Sequence, residues 1–412
     1  MNKHLLNISN QNFGFLFVSS FIILNFVDRS LSNVAMIALL VLSLFHMYRN
    51  RDNLSINMNE KSLIYSFLSF TVILMAFAFY HSSKIDELDN YSRFVLLLPI
   101  YFYLRTLWFS PKAIIYILIS SSIISLSSIM IDFEQTYSAG NSIIPGRHNP
   151  VSSSALTYGN LNMTIFVLLI GSWIFRNKLK INSLLLMIGL FASFLSWGLT
   201  HSKGALIGLA FVFIYLNIAN KSIRLFSFIV ILIGTLIISS TELNQRFKIF
   251  INDTMLVMNG QDIMTDNIDL SIRERYFYYK NAVEIIKNNP LEGIGFDRFE
   301  DYLNQKKIKQ NLDIRTSDHA HNEFLDIALK SGLIGLLVFL ILFANIFRFF
   351  AKVNLDNIDS RFFKYSGNIV LLSQIGFMLT QSQLAHHQST VFFIILVLLF
   401  ASQITNRTNN TN

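Results

Sequence analysis

The stretch "HAHNEFLDIALKSGLIGLLVFL", residues 319–340, combines groups that can transfer protons with an apolar run that can enter a lipid bilayer. An imidazole has a reference pKa of about 6.5, so a histidine here can accept a proton from a substrate near neutral pH. If Asp318 caps a helix, His321 lies on the face directed toward the apolar interior. The opposite face then carries the charged residues Glu323, Asp326 and Lys330. The alternative reading is a buried histidine that only hydrogen-bonds a backbone carbonyl.

Two neighbours of His321 are further candidates. Asn322 follows it directly and is expected to support the site. His319 lies two residues earlier, so the two histidines cannot share one helical face and this pair does not predict a metal site. The sequence has no cysteine, which excludes disulfides, thiolate metal sites and cysteine nucleophiles. We therefore expect neither a metal nor a cofactor.

A second stretch, "SIRERYFYYKNAVEIIKNNPLEGIGFDRF", predicts a helix in a long polar connection. Ser271 and Glu274 have capping-box spacing, which predicts a helix that starts at Ile272, and Pro290 and Gly293 are expected to end it. The "GIGFDRF" that follows is expected to form a turn, because no strand precedes it to make a dinucleotide fingerprint.

Arginines at the start of this helix are candidates for binding an anion. Arg275 shares a face with Tyr279, Ala282 and Ile286, which predicts that it points inward near the positive end of the helix. A second and more polar face is predicted to carry Arg273, Phe277, Lys280 and Glu284. The alternative is that Arg275 caps a buried carbonyl or pairs with a nearby acid.

Cations also occur in two shorter connections. "WGLTHSKGALIGL" places His201, Ser202 and Lys203 in a tight turn between apolar segments, where an ionisable group indicates function unless it snorkels to the headgroups. Arg147 lies in a turn-rich connection. Together, Arg275, Lys203, Arg147 and one potential base suit a lipid-linked diphosphate, since charge-assisted hydrogen bonds contribute about 1.5–3 kcal/mol each.

The composition places these residues in a membrane protein. Hydrophobic residues make up 52% of the 412 residues and charged residues 14%, well below the roughly 25% of soluble domains. Long runs of Leu, Ile and Phe predict an all-α polytopic protein with about twelve transmembrane helices. The predicted spans are 13–27, 31–48, 63–80, 94–109, 113–131, 161–175, 183–200, 205–219, 225–240, 333–350, 366–381 and 391–405.

The distribution of Lys and Arg predicts the orientation. Alternate connections are rich in these residues and the remaining short ones are poor in them, which places both termini in the cytoplasm by the positive-inside rule. The expected organisation is helices 1–9 in residues 1–240, a large periplasmic loop at 241–332, and helices 10–12 with a short tail in 333–412. The net charge of +8 is explained by this asymmetry rather than by a nucleic-acid partner.

The pattern "R…YK.A.EII..NPLEGIG...F" followed by "HAHNEFLDIALKSGLIGL" resembles the signature region of the O-antigen ligase and polymerase superfamily. The similarity covers roughly residues 270–340 and is extended by "HSKGALIGL". It implies a GT-C type glycosyltransferase of the bacterial inner membrane, with a periplasmic active site that needs neither nucleotide nor metal. The implied donor is an undecaprenyl-diphosphate-linked polysaccharide, and the implied acceptor is the lipid A core oligosaccharide.

The resemblance assigns roles to individual residues. The essential histidine of the family falls on His321, the conserved arginine of its large loop on Arg275, and its Ser-Arg-Gly motif on Ser202, Lys203 and Gly204. Lysine at 203 departs from that motif, because it keeps the charge but loses the planar two-pronged geometry. Tyr279 departs as well, since many members carry tryptophan there.

Other functions remain open at this stage. An O-antigen polymerase or a protein O-oligosaccharyltransferase would use the same lipid-linked donor with another acceptor. A transporter or flippase of the same lipid would need charged residues inside several spans, whereas the predicted spans are almost free of charge apart from Arg105 near one end.

Overall fold

A computed structural model describes residues 2–51, 56–138, 154–200, 202–219, 268–352 and 357–409, with short stretches at 248–249, 251–253 and 255–256. All regular secondary structure in these residues is helical, so the predicted all-α class is confirmed. The helices are α1 (Asn2–Leu24), α2 (Arg29–Arg49), α3 (Met58–Tyr80), α4 (Asp89–Leu96), α5 (Leu98–Leu104), α6 (Pro111–Ser138), α7 (Ala155–Trp173), α8 (Ser183–Leu199), α9 (Ala205–Ala219), α10 (Leu270–Asn288), α11 (Phe299–Gln310), α12 (Glu323–Ala351), α13 (Ile358–Met378) and α14 (His387–Asn409).

The chain is a multi-pass membrane protein. Six of the described helices are long and apolar enough to cross a bilayer, namely α2, α3, α6, α7, α12 and α14, and shorter apolar helices occupy Gln11–Leu24, Ser183–Leu199 and Ala205–Ala219. Ten of the predicted apolar segments lie largely within one described helix each; the exceptions are 94–109 and 225–240, of which the latter lies outside the described residues.

One predicted span differs from expectation. Residues 94–109 do not form a single helix but belong to two short ones, α4 and α5, which meet at Leu97. Pro99 stands in the first turn of α5, where its missing N–H costs nothing, so it starts a new helix instead of continuing the old one. Neither piece reaches the roughly 20 residues of a span.

Burial within the described helices distinguishes the centre of the bundle from its rim. The apolar stretch of α14 is completely buried and that of α7 is 94% buried, whereas only 28% of the stretch in α2 is covered by protein. The two central helices therefore pack on other helices all round, and α2 turns most of its surface outward. Such a surface suits lipid, because it carries exposed apolar residues such as Val34, Val41 and Phe45.

The helices begin where short polar side chains replace the missing hydrogen-bond partners of the first turn. Ser154 accepts from the N–H of Thr157 at the start of α7, and Asn57 forms a reciprocal capping box with Glu60 at the start of α3. These caps directly precede apolar runs, so the local sequence specifies where each of these two helices begins.

Helices α10 and α11 form a small hydrophobic core beside the bundle. Phe277, Tyr278 and Ile285 of α10 pack with Leu303 of α11 and with Leu329 from the first turns of α12. The later turns of α12 pack instead in the main core, with Phe339 and Leu342 among the residues that are fully buried there. Helix α12 therefore belongs to both cores.

A break in α12 allows this double role. Ser331 (φ −131°) and Gly332 (φ 66°, ψ −172°) leave helical geometry. The turn after α10 packs against this break. The N–H of Ile294 donates to the carbonyl of Leu329 at 2.9 Å, and the N–H of Leu333 donates to that of Pro290 at 2.7 Å. A Cβ on Gly332 would collide with the backbone of Leu291, so only glycine permits this crossing.

The chain that follows α3 hydrogen-bonds to the same turn from its other side. His81 Nε2 lies 2.9 Å from the carbonyl of Glu292, and the Arg298 guanidinium donates to the carbonyl of His81 at 2.6 Å. The N–H of Phe296 donates to Ser83 Oγ at 3.0 Å. The stretch 293–298, which was predicted to form a turn as part of "GIGFDRF", is thus held between the end of α3 and the break in α12.

We expect Gly332→Ala to lower the free energy of unfolding by at least about 1–3 kcal/mol, because alanine cannot adopt this φ and ψ without strain and would also displace Leu291. The matched control is Gly198→Ala in α8, where an added Cβ meets nothing within 4 Å and the helix should gain slightly. Denaturation of the two purified variants in detergent measures the difference. Equal stability of both variants would contradict the proposed crossing.

Candidate functional site

His321 lies in an unusual backbone conformation just before α12. Its φ is +53°, a region that non-glycine residues seldom occupy and that marks functional sites when the surroundings enforce it. Helix α12 begins at Glu323 with Asn322 as its N-cap, since the Asn322 side chain accepts from the N–H of Leu325 at 3.1 Å. The prediction that Asp318 caps a helix containing His321 is therefore wrong.

Hydrogen bonds from neighbouring side chains hold the backbone at His321 and at the residue before it. The Tyr279 hydroxyl donates to the carbonyl of His321 at 3.3 Å, and Asp326 accepts from the N–H of Ala320 at 2.9 Å. The Tyr278 ring stacks on the imidazole with a centroid separation of 5.6 Å and an angle of 22°. His321 is therefore positioned by α10 from one side and by α12 from the other.

The acidic residues of this segment are buried, contrary to the prediction that they occupy an outward face. Glu323 and Asp326 are completely buried, and Lys330 is 5% exposed. Lys330 Nζ donates to Asp326 at 2.8 Å, and Glu323 accepts from the N–H of Leu384 at 2.8 Å. The pattern of charges suggested a solvated face, but these carboxylates accept from backbone N–H groups of the loop before α12 and of the segment between α13 and α14.

A third histidine joins the site from a distant part of the chain. The rings of His319 and His321 have centroids 4.3 Å apart, and the ring of His386 lies 5.8 Å from that of His319. We call His319, His321 and His386 the imidazole cluster. Among the described residues, no group of three or more His, Asp or Glu side chains has the geometry to hold a metal ion.

His386 was not identified from the sequence. It belongs to "TQSQLAHHQST", residues 380–390, which contains the connection between α13 and α14 and the first turn of α14. Its Nε2 lies 2.7 Å from the amide nitrogen of Gln381, so in this arrangement Nε2 accepts and the ring proton is on Nδ1. The available signal was a polar run containing two histidines between two apolar segments, which composition alone does not connect with residues 319–321.

His321 and His386 are held in their neutral form. Burial, with smaller contributions from the neighbouring His319 and Arg275, lowers the pKa of His321 to about 3, while Asp318 acts in the opposite direction. Burial likewise lowers the pKa of His386 to about 4. His321 Nδ1 is buried and meets no hydrogen-bond partner among the described residues. A neutral ring with such a nitrogen is suited to receive a proton.

Arg275 lies beside this ring on the first turns of α10. The structure thus brings together the predicted base and the predicted loop arginine, because the charge of Arg275 acts directly on His321. Arg273 is half-buried on the same turn of the helix.

The details of α10 differ from the prediction. The helix begins at Leu270, with Asp269 rather than Ser271 as its cap, and Glu274 accepts from the N–H of Arg315 at 3.2 Å instead of closing a capping box. Phe277, which was expected on the polar face, is buried in the small core. The buried stripe therefore runs through 277, 278, 281, 282 and 285, because α10 packs on both α11 and α12.

The turn that contains Ser202 and Lys203 lies at the same end of the bundle. Ser202 is buried and its carbonyl accepts from the indole N–H of Trp197 at 2.9 Å, whereas Lys203 is exposed. Gly204 packs directly on Thr380, and the adjacent carbonyl of Leu379 accepts from the Asn322 side chain at 3.0 Å. The end of α13 thus joins this turn to the segment of His321. Arg147 and His201 lie outside the described residues.

A small polar cavity lies deeper in the bundle and does not include the imidazole cluster. Asn160, Gln374, Gln383 and Ser389 line it together with aromatic rings, and it leaves about 10 Å³ for the centres of water molecules, which is room for about one. Each of these four side chains has a buried polar atom that meets no partner in the described part of the chain. An ordered water would satisfy them, so this cavity is a structural feature of the bundle.

Comparison with known proteins supports the significance of this region. Residues 188–340 match the family model described as O-antigen ligase, a segment that contains Ser202, Lys203, Arg275 and His321. The resemblance of the chain to the O-antigen ligase and polymerase superfamily is thereby confirmed. An uncharacterized protein of Haemophilus influenzae is 24% identical over 404 residues, covering 93% of this chain and 96% of that protein.

We expect Lys330→Met alone to destabilise the protein by about 3–5 kcal/mol, because it leaves the buried carboxylate of Asp326 without its charge partner. The double variant Asp326→Asn/Lys330→Met should recover most of this loss, since the asparagine oxygen can still accept from the N–H of Ala320. Thermal unfolding in detergent compares the two. If the double variant is less stable than the single one, the carboxylate is not acting through this pair.

Proposed function

We propose that this protein is an O-antigen ligase, which transfers a polysaccharide from undecaprenyl diphosphate to a sugar hydroxyl of the lipid A core during lipopolysaccharide biosynthesis. The observation that supports this most directly is the neutral His321 imidazole beside Arg275 at the start of α12, within the segment that matches the O-antigen ligase family model. The site residues are proposed on this basis as His321 for catalysis and Arg275, Lys203 and Arg147 for the diphosphate.

The location of the site is consistent with a lipid-linked donor. The donor keeps its polyprenyl tail in the bilayer while its diphosphate and first sugar emerge at the surface, so the catalytic groups must lie where helices meet water. We place this surface on the periplasmic side of the inner membrane, with about twelve spans of GT-C type and both termini in the cytoplasm. The excess of Lys and Arg in the opposite connections supports this orientation.

In the proposed reaction, His321 accepts the proton of an acceptor hydroxyl while the oxygen attacks the anomeric carbon of the donor. The new glycosidic bond forms as the bond from that carbon to the diphosphate oxygen breaks, and attack opposite the leaving group inverts the configuration. The departing diphosphate carries negative charge, which Arg275, Lys203 and Arg147 stabilise. Asn322, Arg273, His319 and Ser202 support these groups.

A base with a strongly lowered pKa is weak by itself, but the donor changes its environment. The two negative charges of a bound diphosphate counteract the effect of Arg275 on His321 and favour the protonated ring in the transition state. The free enzyme therefore keeps an unprotonated imidazole ready at neutral pH, and its basicity increases when substrate is present.

We expect His321→Asn to reduce the transfer rate by about 10²–10⁴-fold, the usual contribution of a general base. Asparagine tolerates the positive φ at this position, so it should keep the loop conformation that His321→Ala could strain. Membrane insertion and expression of both variants are compared with wild type in a complemented deletion strain. Full attachment of surface polysaccharide in either variant would exclude His321 as the base.

Lys203→Ala should weaken use of the donor by about ten- to a hundredfold, since one charge-assisted hydrogen bond of about 1.5–3 kcal/mol is lost. Lys203→Arg should retain activity, because the charge remains. Lys287→Ala is the matched control, an exposed lysine at the far end of α10. The KM for the lipid-linked donor shows whether Lys203 binds the diphosphate. An unchanged KM in Lys203→Ala would indicate that Lys203 only extends toward the lipid headgroups.

The lipid-linked intermediates of a deletion strain test the proposed acceptor. Loss of a ligase leaves long polysaccharide chains on undecaprenyl diphosphate, and this is the result we expect. Single repeats attached to the core would instead identify an O-antigen polymerase. Unmodified proteins together with an intact lipopolysaccharide would identify a protein O-oligosaccharyltransferase.

A further inference from the structure

In the reaction described so far, His386 has no role and His319 has only a supporting one. His319 lies between the other two rings, and His386 approaches it from the segment between α13 and α14. Three imidazoles at these distances repel one another when charged, and Arg275 adds a further positive charge next to them. The cluster can therefore become cationic only when an anion compensates the repulsion.

We propose that His386 is a proton-coupled part of the diphosphate site and becomes positively charged when the lipid-linked donor binds. This inference rests on the proposed function and extends it to His386. In the proton balance, His386 takes one proton from solvent as the donor binds and returns it as the diphosphate product leaves. His321 remains neutral in the donor complex and keeps its lone pair for the acceptor hydroxyl.

The groups around the cluster support this division of roles. The Gln381 amide faces Nε2 of His386, and a rotated amide would present its oxygen to the protonated ring. Ser317 Oγ lies 2.5 Å from Nδ1 of His319, and the exposed Asp318 lies 3.3 Å from the same nitrogen. From α10, the facing groups are the cation Arg275 and the uncharged rings of Tyr278 and Tyr279.

Linkage makes the inference measurable. If binding takes up protons, affinity must increase as the pH falls. An imidazole such as that of His386, which burial keeps neutral in the free protein, would return to its ordinary pKa of about 6.5 beside the diphosphate. Affinity would then increase about tenfold between pH 7.5 and pH 5.5 for each ring that changes in this way.

The experiment measures binding of farnesyl-diphosphate-linked N-acetylglucosamine to the full-length protein in detergent. This probe is a diphosphate diester, which has no ionisable proton near neutral pH, so any proton taken up must bind to the protein. Calorimetry in two buffers with different ionisation enthalpies, at pH 7.5, 6.5 and 5.5, yields the affinity and the number of protons. We expect proton uptake that increases toward pH 5.5, together with affinity that rises about tenfold.

A variant assigns the proton to its residue. His386→Asn should lose most of the proton uptake and most of the increase in affinity on acidification. His46→Asn is the control, since His46 lies in α2 near Tyr103 and away from the cluster. Wild-type proton uptake in His386→Asn would overturn the proposal.

The results also separate this inference from the proposed function. Binding of the probe that depends on Arg275 but shows neither proton uptake nor pH dependence overturns the inference and leaves the glycosyltransferase proposal intact. Absence of binding at every pH contradicts the proposed function itself.

Discussion

The close crossing of two backbone segments, residues 290–295 and the break in α12 at residues 331 and 332, is the constraint on which the site depends. Backbone N–H groups of each segment donate to carbonyls of the other, which satisfies the polar groups that the broken helix would otherwise leave unpaired at the edge of the apolar bundle. Because Gly293 and Gly332 carry no side chain, the two segments lie in direct contact. This crossing joins the long polar connection to the membrane helices.

The position of His321 follows from that crossing. The first turns of α12 contact both cores, with Leu329 in the small core and Ile327 in the main core, whereas the turns after the break pack only in the bundle. Asp326 in those first turns holds the backbone before His321, and Tyr278 and Tyr279 of α10 hold the ring and the carbonyl. A residue in a strained conformation thus has support from two elements, which is the condition under which such strain persists.

The buried polar groups at this end of the bundle orient charges and hydrogen bonds more than they stabilise the fold. A buried pair such as Asp326 and Lys330 contributes little net free energy compared with apolar residues of the same volume, but removing one member is costly. Its value lies in orientation, since the carboxylate directs one oxygen to the lysine and the other to the loop. His321 and His386 remain uncharged in the same environment, which suits the proton transfer proposed for His321.

Sequence by itself determined the helical class, the apolar segments of the described bundle, the turn after α10 and the family resemblance, because these depend on local composition, on capping residues and on short motifs. Tertiary structure alone decided which charges are buried. Glu323, Asp326 and Lys330 have the pattern of a solvated face, yet all three are buried. Glu323 accepts from the N–H of Leu384, a residue far away in the chain, and Asp326 accepts from Lys330 and from the N–H of Ala320. His386 joins His319 and His321 for the same reason, since the partner of a buried polar group is set by which segments meet in space and not by spacing along the sequence.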